Sequence, residues 1–267
     1  MDKKFFDENG YYIDKNLIPI ELINQFVDDL NKIFKQQIDF LDKNSQDLSV
    51  FDKMRLLFNM DNSRYLSTLT LSSKMVSLYD IIIHKNVQQS VNDLGFKIPV
   101  WQTRPVIHCM SNDLKIQNGY HGVGVHQDWS TLQSSLNTIT IWIPFFKVTK
   151  ENFPIEVIPK THLLGLCEGS QKEHFFEIDS SYYNMDEFIE LEAEPGDVIF
   201  MSNFTIHKSK TTGKGFRMSV SMRYEDGGED TFIERNYPFT EKRIVNRDVL
   251  FKDFPKKEQV LKIYNKI

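Results

Sequence analysis

The sequence predicts a mainly β protein with α additions, in which N-terminal helices pack outside one sheet of an antiparallel sandwich or barrel. Three observations point there. Apolar residues recur at helical spacing up to about residue 97. Beyond that point the chain breaks into short runs rich in β-branched and aromatic residues, separated by turn signals, the texture of an all-β core. No repeat, low-complexity tract or Pro/Gly/Ser-rich linker divides the 267 residues. The expectation is one domain over 1–267, with a mainly helical part at 1–97, a β core at 98–225 and a C-terminal extension at 226–267.

The elements follow in order. Ile20, Ile23, Val27, Leu30, Phe34, Ile38 and Leu41 step by threes and fours, laying one apolar stripe along a long helix. Pro19 suits its first turn, where no backbone N–H is missed. Two or three more helices are expected across 48–60 and 72–94, and Gly95 is a natural stop after Leu94. Strands are expected at 100–110, 138–146, 155–158, 197–201 and 216–224. Asn118-Gly119, Pro195-Gly196 and Gly213-Lys214-Gly215 mark turns between them. The lysine-rich stretch 241–267 is expected to form a loop and a last surface helix, with Lys256-Lys257 on its solvated face.

Composition excludes several classes. Lys and Arg total 32 against 37 Asp and Glu, a formal charge of −5, whereas a generic nucleic-acid binder is basic or carries a basic stripe. No apolar run approaches the roughly 20 residues that span a bilayer. The N-terminus lacks the apolar stretch of a secretory signal, so the expected location is cytoplasmic. Two cysteines, Cys109 and Cys167, exclude a disulfide framework.

The candidate chemistry begins at His126-Gln127-Asp128. On a strand, residues two apart share a face, so an imidazole and a carboxylate would project into one cavity. Alone, such a pair is as well explained by chance. Downstream, His207 is followed ten residues later by Arg217. The run 216–224 alternates, with Phe216, Met218, Val220 and Met222 on one face and Arg217, Ser219, Ser221 and Arg223 on the other. The first face would meet helices or a second sheet, and the second would line a wet cavity. Arg217 there is a poor core residue without an anionic partner, and a carboxylate-bearing ligand would match its bidentate geometry.

Bland alternatives stand beside the sharp ones. Trp129 either shapes the substrate side or packs in the core. His121, in a glycine-bearing loop, touches substrate or is solvated. Arg223 meets an anionic substrate or pairs with a nearby acid. Trp142 and Phe145 are expected in the core, and His162 is expected to brace a loop.

Taken in order, the landmarks resemble the phytanoyl-CoA dioxygenase family, within the Fe(II)- and 2-oxoglutarate-dependent oxygenases. They run from Phe6-Asp7-Glu8-Asn9-Gly10-Tyr11 through His126-Gln127-Asp128-Trp129, Ile141-Trp142-Ile143-Pro144 and Glu151-Asn152. They continue with Glu156-Val157-Ile158-Pro159-Lys160-Thr161-His162, Pro195-Gly196-Asp197-Val198, His207 and Arg217. Lys160-Thr161 departs from the family's usual Gly-Ser before that histidine.

The resemblance implies a double-stranded β-helix, a jelly-roll, cupin-like barrel. It implies that His126, Asp128 and His207 form a facial triad for Fe(II), leaving three positions open. It further implies 2-oxoglutarate and O2 as cosubstrates, with Arg217 pairing the far carboxylate. Ser209 and Ser219 are weaker candidates for that carboxylate, and His108 (or Cys109) for a further cosubstrate contact. The implied activity is hydroxylation of a small molecule with release of succinate and CO2. Asp128 stands where related halogenases carry Ala or Gly, which disfavours halogenation. Two alternatives stay open: a non-catalytic metal- or ligand-binding barrel acting as sensor or scaffold, and a metal-dependent barrel isomerase. The loops at 115–125 and 165–190 carry no substrate motif, though the acids, aromatics and His174 of 168–183 suit a polar lid.

Overall fold

Asp2 begins the first helix by accepting from Phe5 N, and Gly10 ends it in the left-handed region at φ 77°. This computed structural model describes residues 1–41, 48–115, 121–172, 175–238 and 254–265. That helix, α1 (Lys3–Asn9), leads into strand β1 (Tyr11–Asp14) and then into the long helix α2 (Ile20–Phe40). The buried face of α2 is Ile23, Phe26, Leu30, Phe34 and Ile38. Phe26 takes the place expected for Val27 because its ring packs 4.4 Å from Phe145. Four helices follow where two or three were expected: α3 (Val50–Met60), α4 (Asn62–Ser72), α5 (Val76–Ile82) and α6 (Lys85–Asp93). Asp61 is the reason α3 and α4 are separate: it leaves helical dihedrals, and its side chain accepts from Arg64 N to start the next helix.

The expected strand at 100–110 is broken by Pro105, which offers no N–H to a ladder. It becomes β2 (Pro99–Trp101) and β3 (Val106–Met110). Next come β4 (Thr138–Pro144), β5 (Ile155–Val157), β6 (Gly169–Gln171), β7 (Phe176–Ile178), β8 (Ile189–Leu191), β9 (Val198–Ser202), β10 (His207–Ser209) and β11 (Arg217–Asp226). Among the described residues the largest sheet runs β1-β9-β4-β11-β2, with β3 also on β11, and a second sheet runs β10-β5-β8. Every strand pairing is antiparallel.

The alternation of β11 decides how these layers stack. Met218, Val220 and Met222 join Ile139, Ile141 and Ile143 of β4 in one core with Phe26, Leu30, Phe34 and Ile38 of α2. Helices therefore cover the outer face of the large sheet. On the inner face, Trp142, Ile199 and Met201 pack against Ile155 and Val157 of β5 and Leu191 of β8. The polar row of β11 looks into the space between the two sheets.

Three further short α-helices lie among the described residues: α7 (Trp129–Leu132), α8 (Asp230–Glu234) and α9 (Lys257–Ile263). The last helix is docked rather than merely superficial, since Val260 and Tyr264 are buried in the main core. Residues 239–253, part of the expected C-terminal loop, lie outside the described residues. No described helix is long and apolar enough to cross a membrane.

Candidate metal centre

His126 and His207 face each other across an antiparallel bridge, with N–O separations of 3.0 and 3.1 Å. The straight strand expected through Asp128 is not formed. After His126 the chain turns, and Asp128 takes helical dihedrals (φ −62°, ψ −35°) at the head of α7. The cause lies one residue on. Trp129 N donates to Asn203 O at 3.0 Å, its ring stacks on Phe204 at 5.6 Å, and its indole N–H reaches Ser135 O at 3.0 Å. Trp129 is thus a core residue, 1% exposed, and not part of the substrate side.

The turn still brings the donors together. His126 Nε2 lies 3.5 Å from Asp128 Oδ1, and His207 Nε2 lies 3.9 Å from Asp128 Oδ2. One donor atom from each of the three side chains falls within 4.8 Å of the others. Each imidazole is oriented the same way. His126 Nδ1 bonds Gly124 O at 2.8 Å and His207 Nδ1 bonds Thr205 O at 2.9 Å. A carbonyl only accepts, so both Nδ1 atoms carry the proton and both Nε2 lone pairs face the shared space. Two imidazole nitrogens and one carboxylate with a common focus fit a divalent transition metal.

Asp128 is held on both oxygens. Arg223 Nη2 donates to Oδ1 at 3.0 Å, and the Thr140 hydroxyl donates to Oδ2. Burial alone would raise its pKa. The Arg223 charge and the two imidazoles outweigh that and hold the carboxyl well below its ordinary value. Burial, with the neighbouring His126, pushes His207 down to about 4 against the pull of Asp128. At neutral pH Asp128 is therefore ionised and His207 neutral, the forms that donate to a metal.

The other candidates are distributed around this focus. Arg217, 2% exposed at the head of β11, donates Nη1 to Phe153 O at 2.8 Å and lies over the Trp142 ring. Ser219, two residues on, is fully buried and its hydroxyl has no hydrogen-bond partner among the described residues. Ser209 is half-buried on β10, its N–H on Val123 O at 2.8 Å. A Cβ on Gly122 would meet both Ser209 Cβ and Met110 Cε, and Met110 is the cross-strand partner of Arg217. His121 is half-buried with its ring edge-on to Phe153. Burial lowers its pKa, and the charges of Lys115 and Arg217 act in the same direction. His108 places Nε2 at 2.8 Å from Ser221 Oγ. Arg223 pairs with an acid, and that acid is Asp128. His162 braces a loop, Nε2 on Asp7 O at 3.1 Å.

Several supporting residues carried no sequence signal. Gln127 points away from its neighbours' focus, donating to Gly165 O and Phe204 O at 2.8 and 2.6 Å and accepting from Cys167 N at 2.9 Å. Thr140 lies within an apolar strand, and Asn203 sits 2.9 Å from its hydroxyl. Phe175 places its ring 6.0 Å from that of His126, while His174 lies outside the described residues.

The sequence and the fold have known counterparts. The sequence profile of phytanoyl-CoA dioxygenase matches residues 6–219. A phytanoyl-CoA dioxygenase domain-containing protein 1 homolog of Dictyostelium discoideum is 26% identical over 124 residues, covering 43% of this chain and 44% of that protein. A probable phytanoyl-CoA dioxygenase of Caenorhabditis elegans is 21% identical over 235 residues, covering 83% of this chain and 73% of that one. The match thus spans less than half of the first relative's length.

Among solved structures, the non-heme monooxygenase ThoJ without ligand superposes with a TM-score of 0.60 at 11% identity, covering 99% of this chain and 97% of its own. EctD from S. alaskensis with bound Fe gives 0.53 at 10% identity, over 84% and 75%. The non-heme alpha ketoglutarate dependent carbocyclase SnoK from nogalamycin biosynthesis gives 0.51 at 16% identity, over 87% and 88%. Identities this low speak to the fold alone. The profile, however, runs from Phe6 in α1 to Ser219 beside Arg217 and passes through all three donors, and on that match the chain belongs to the phytanoyl-CoA dioxygenase family.

Proposed function

We propose that this chain is an Fe(II)- and 2-oxoglutarate-dependent oxygenase that hydroxylates a small-molecule substrate. The observation that carries the proposal is the convergence of His126, Asp128 and His207 on one focus, with both imidazoles turned by their carbonyl tethers. Family membership supports the same reading. The two facing antiparallel sheets suit a double-stranded β-helix of jelly-roll type, in which such a focus lies between the sheets.

Iron, bound with 2-oxoglutarate and O2, would supply the oxidation R–H + O2 + 2-oxoglutarate → R–OH + succinate + CO2. The chain's own residues bind and orient. His126 and His207 would donate Nε2 and Asp128 a carboxylate oxygen. Arg217 would hold the far carboxylate of 2-oxoglutarate from the head of β11, on the same strand face as Arg223. Ser219, whose buried hydroxyl has no hydrogen-bond partner among the described residues, would add a donor to that carboxylate, with Ser209 at the rim. Fixing the cosubstrate at both ends lowers the entropic barrier to the productive geometry. The polar chain His108–Ser221–Arg223, which ends on Asp128, suits a polar substrate better than an acyl chain.

The test is 2-oxoglutarate turnover, read as succinate release coupled to oxygen uptake. Arg217→Met should raise the 2-oxoglutarate concentration needed by at least about tenfold, the loss of a charge-assisted pair, while metal uptake persists. An unchanged requirement would assign the cosubstrate to another residue. Absence of 2-oxoglutarate binding by the metal-loaded wild type would remove the proposal.

A further inference from the structure

We propose that Arg223 sets the net charge of the metal centre, weakening its hold on the metal and strengthening its hold on the anionic cosubstrate. The inference rests on the metal and cosubstrate roles proposed above.

Arg223 and Thr140 stand directly opposite each other on β11 and β4. Each reaches one oxygen of Asp128, Arg223 to Oδ1 at 3.0 Å and Thr140 to Oδ2. A cross-strand pair thus grips both sides of the donor carboxylate. Arg223 is itself pinned: its Nη1 donates to Ser221 Oγ at 3.2 Å, and Ser221 Oγ lies 2.8 Å from His108 Nε2. Its side chain is 17% exposed and that of Asp128 5%, so water screens the pair little. The guanidinium is one carboxylate away from the focus of the donors.

The charges then sum simply. Two neutral imidazoles and one carboxylate would form a site of charge −1, and Arg223 brings it to zero. A divalent cation raises the site to +2 instead of +1. A dianionic chelator whose far charge is met by Arg217 brings the assembly to +1, whereas without Arg223 it would end at neutral, with one unit less positive charge to hold the anion. In a poorly hydrated interior a unit of charge at this range shifts both equilibria, in opposite directions. Groups behind a metal ligand usually raise its basicity, and losing them costs metal affinity. A cation on a carboxylate has the reverse sign.

The experiment is calorimetric titration with Mn(II), which is redox-inert, and then of 2-oxoglutarate into the Mn(II)-loaded protein. Arg223→Gln removes the charge, Arg223→Lys keeps it, and Thr140→Val removes the other grip on Asp128 with no change of charge. Arg223→Gln should bind Mn(II) about tenfold more tightly and 2-oxoglutarate about tenfold more weakly, with Arg223→Lys near wild type on both. Thr140→Val should weaken Mn(II) without strengthening anything. Weaker Mn(II) binding by Arg223→Gln, or unchanged 2-oxoglutarate binding, would overturn the charge role and leave the metal assignment standing. Absence of Mn(II) uptake by the wild type would overturn both.

Discussion

Thr205 Oγ1 donates to the Gly10 carbonyl at 2.7 Å, across a contact so close that a Cβ on Gly10 would stand 2.5 Å from that oxygen and 2.4 Å from His162 Nδ1. The next link reaches the metal centre, because the Thr205 carbonyl accepts from His207 Nδ1. A glycine at the end of the first helix therefore helps to aim an imidazole some two hundred residues away in sequence. Gly10→Ala must adopt φ near 77° and displace Thr205, at an expected cost of about 2–3 kcal/mol. Thermal melting with and without Mn(II) checks it: the variant should melt several degrees lower and gain less from the metal. Equal metal-induced stabilisation would break the link between Gly10 and His207.

Gln127 ties the stretch between two donors to the loop at Gly165 and Cys167. Gln127→Leu keeps the volume but removes three buried hydrogen bonds to the backbone, an expected loss of about 3 kcal/mol. Denaturant unfolding measures it. A loss under about 0.5 kcal/mol would show that those backbone groups find other partners, contrary to the close packing here.

Glu225, which is not one of the donors, yields a pH dependence of its own. Burial pushes its carboxyl up to about 7 from an ordinary value of 4.5, partly offset by Ser134, the Ser135 backbone and the charge of Arg235. Between those values the folded chain holds a proton that the unfolded chain has released. Its stabilising contribution is complete below pH 4.5 and is lost as pH rises to about 7. Glu225→Gln should therefore be more stable than wild type at pH 8, by about 2–3 kcal/mol, and nearly equal at pH 4.5. Melting curves at the two pH values decide; a difference that does not change with pH would contradict the buried-proton account.

The legibility of this site in the sequence follows from the length of each signal. β11 spans ten residues, so its alternation could be read directly, and it sorted Arg217, Ser219, Ser221 and Arg223 from Met218, Val220 and Met222 as the structure does. β5, β6, β7, β8 and β10 have three residues each, too few to express a period, and most escaped notice. The His126–Asp128 spacing could not distinguish a straight strand from a turn, because both bring the two side chains together. What decides between them is Trp129 docking on Phe204, a contact made only once the sheet exists. Thr140 was silent for a related reason: a β-branched residue in a buried strand needs no further explanation. Arg223 was visible as a polar residue on the inner face, but its partner lies 95 residues away.

Anaerobic titration with Fe(II), followed by calorimetry, tests most directly whether His126, Asp128 and His207 hold one ion. Wild type should take up one Fe(II) per chain. Asp128→Asn, His126→Ala and His207→Ala should each weaken that uptake by at least about a hundredfold, as expected for removing a ligand rather than a supporting group. His162→Ala, removing another buried imidazole, should retain it. Wild-type affinity in any of the first three variants would contradict the assignment.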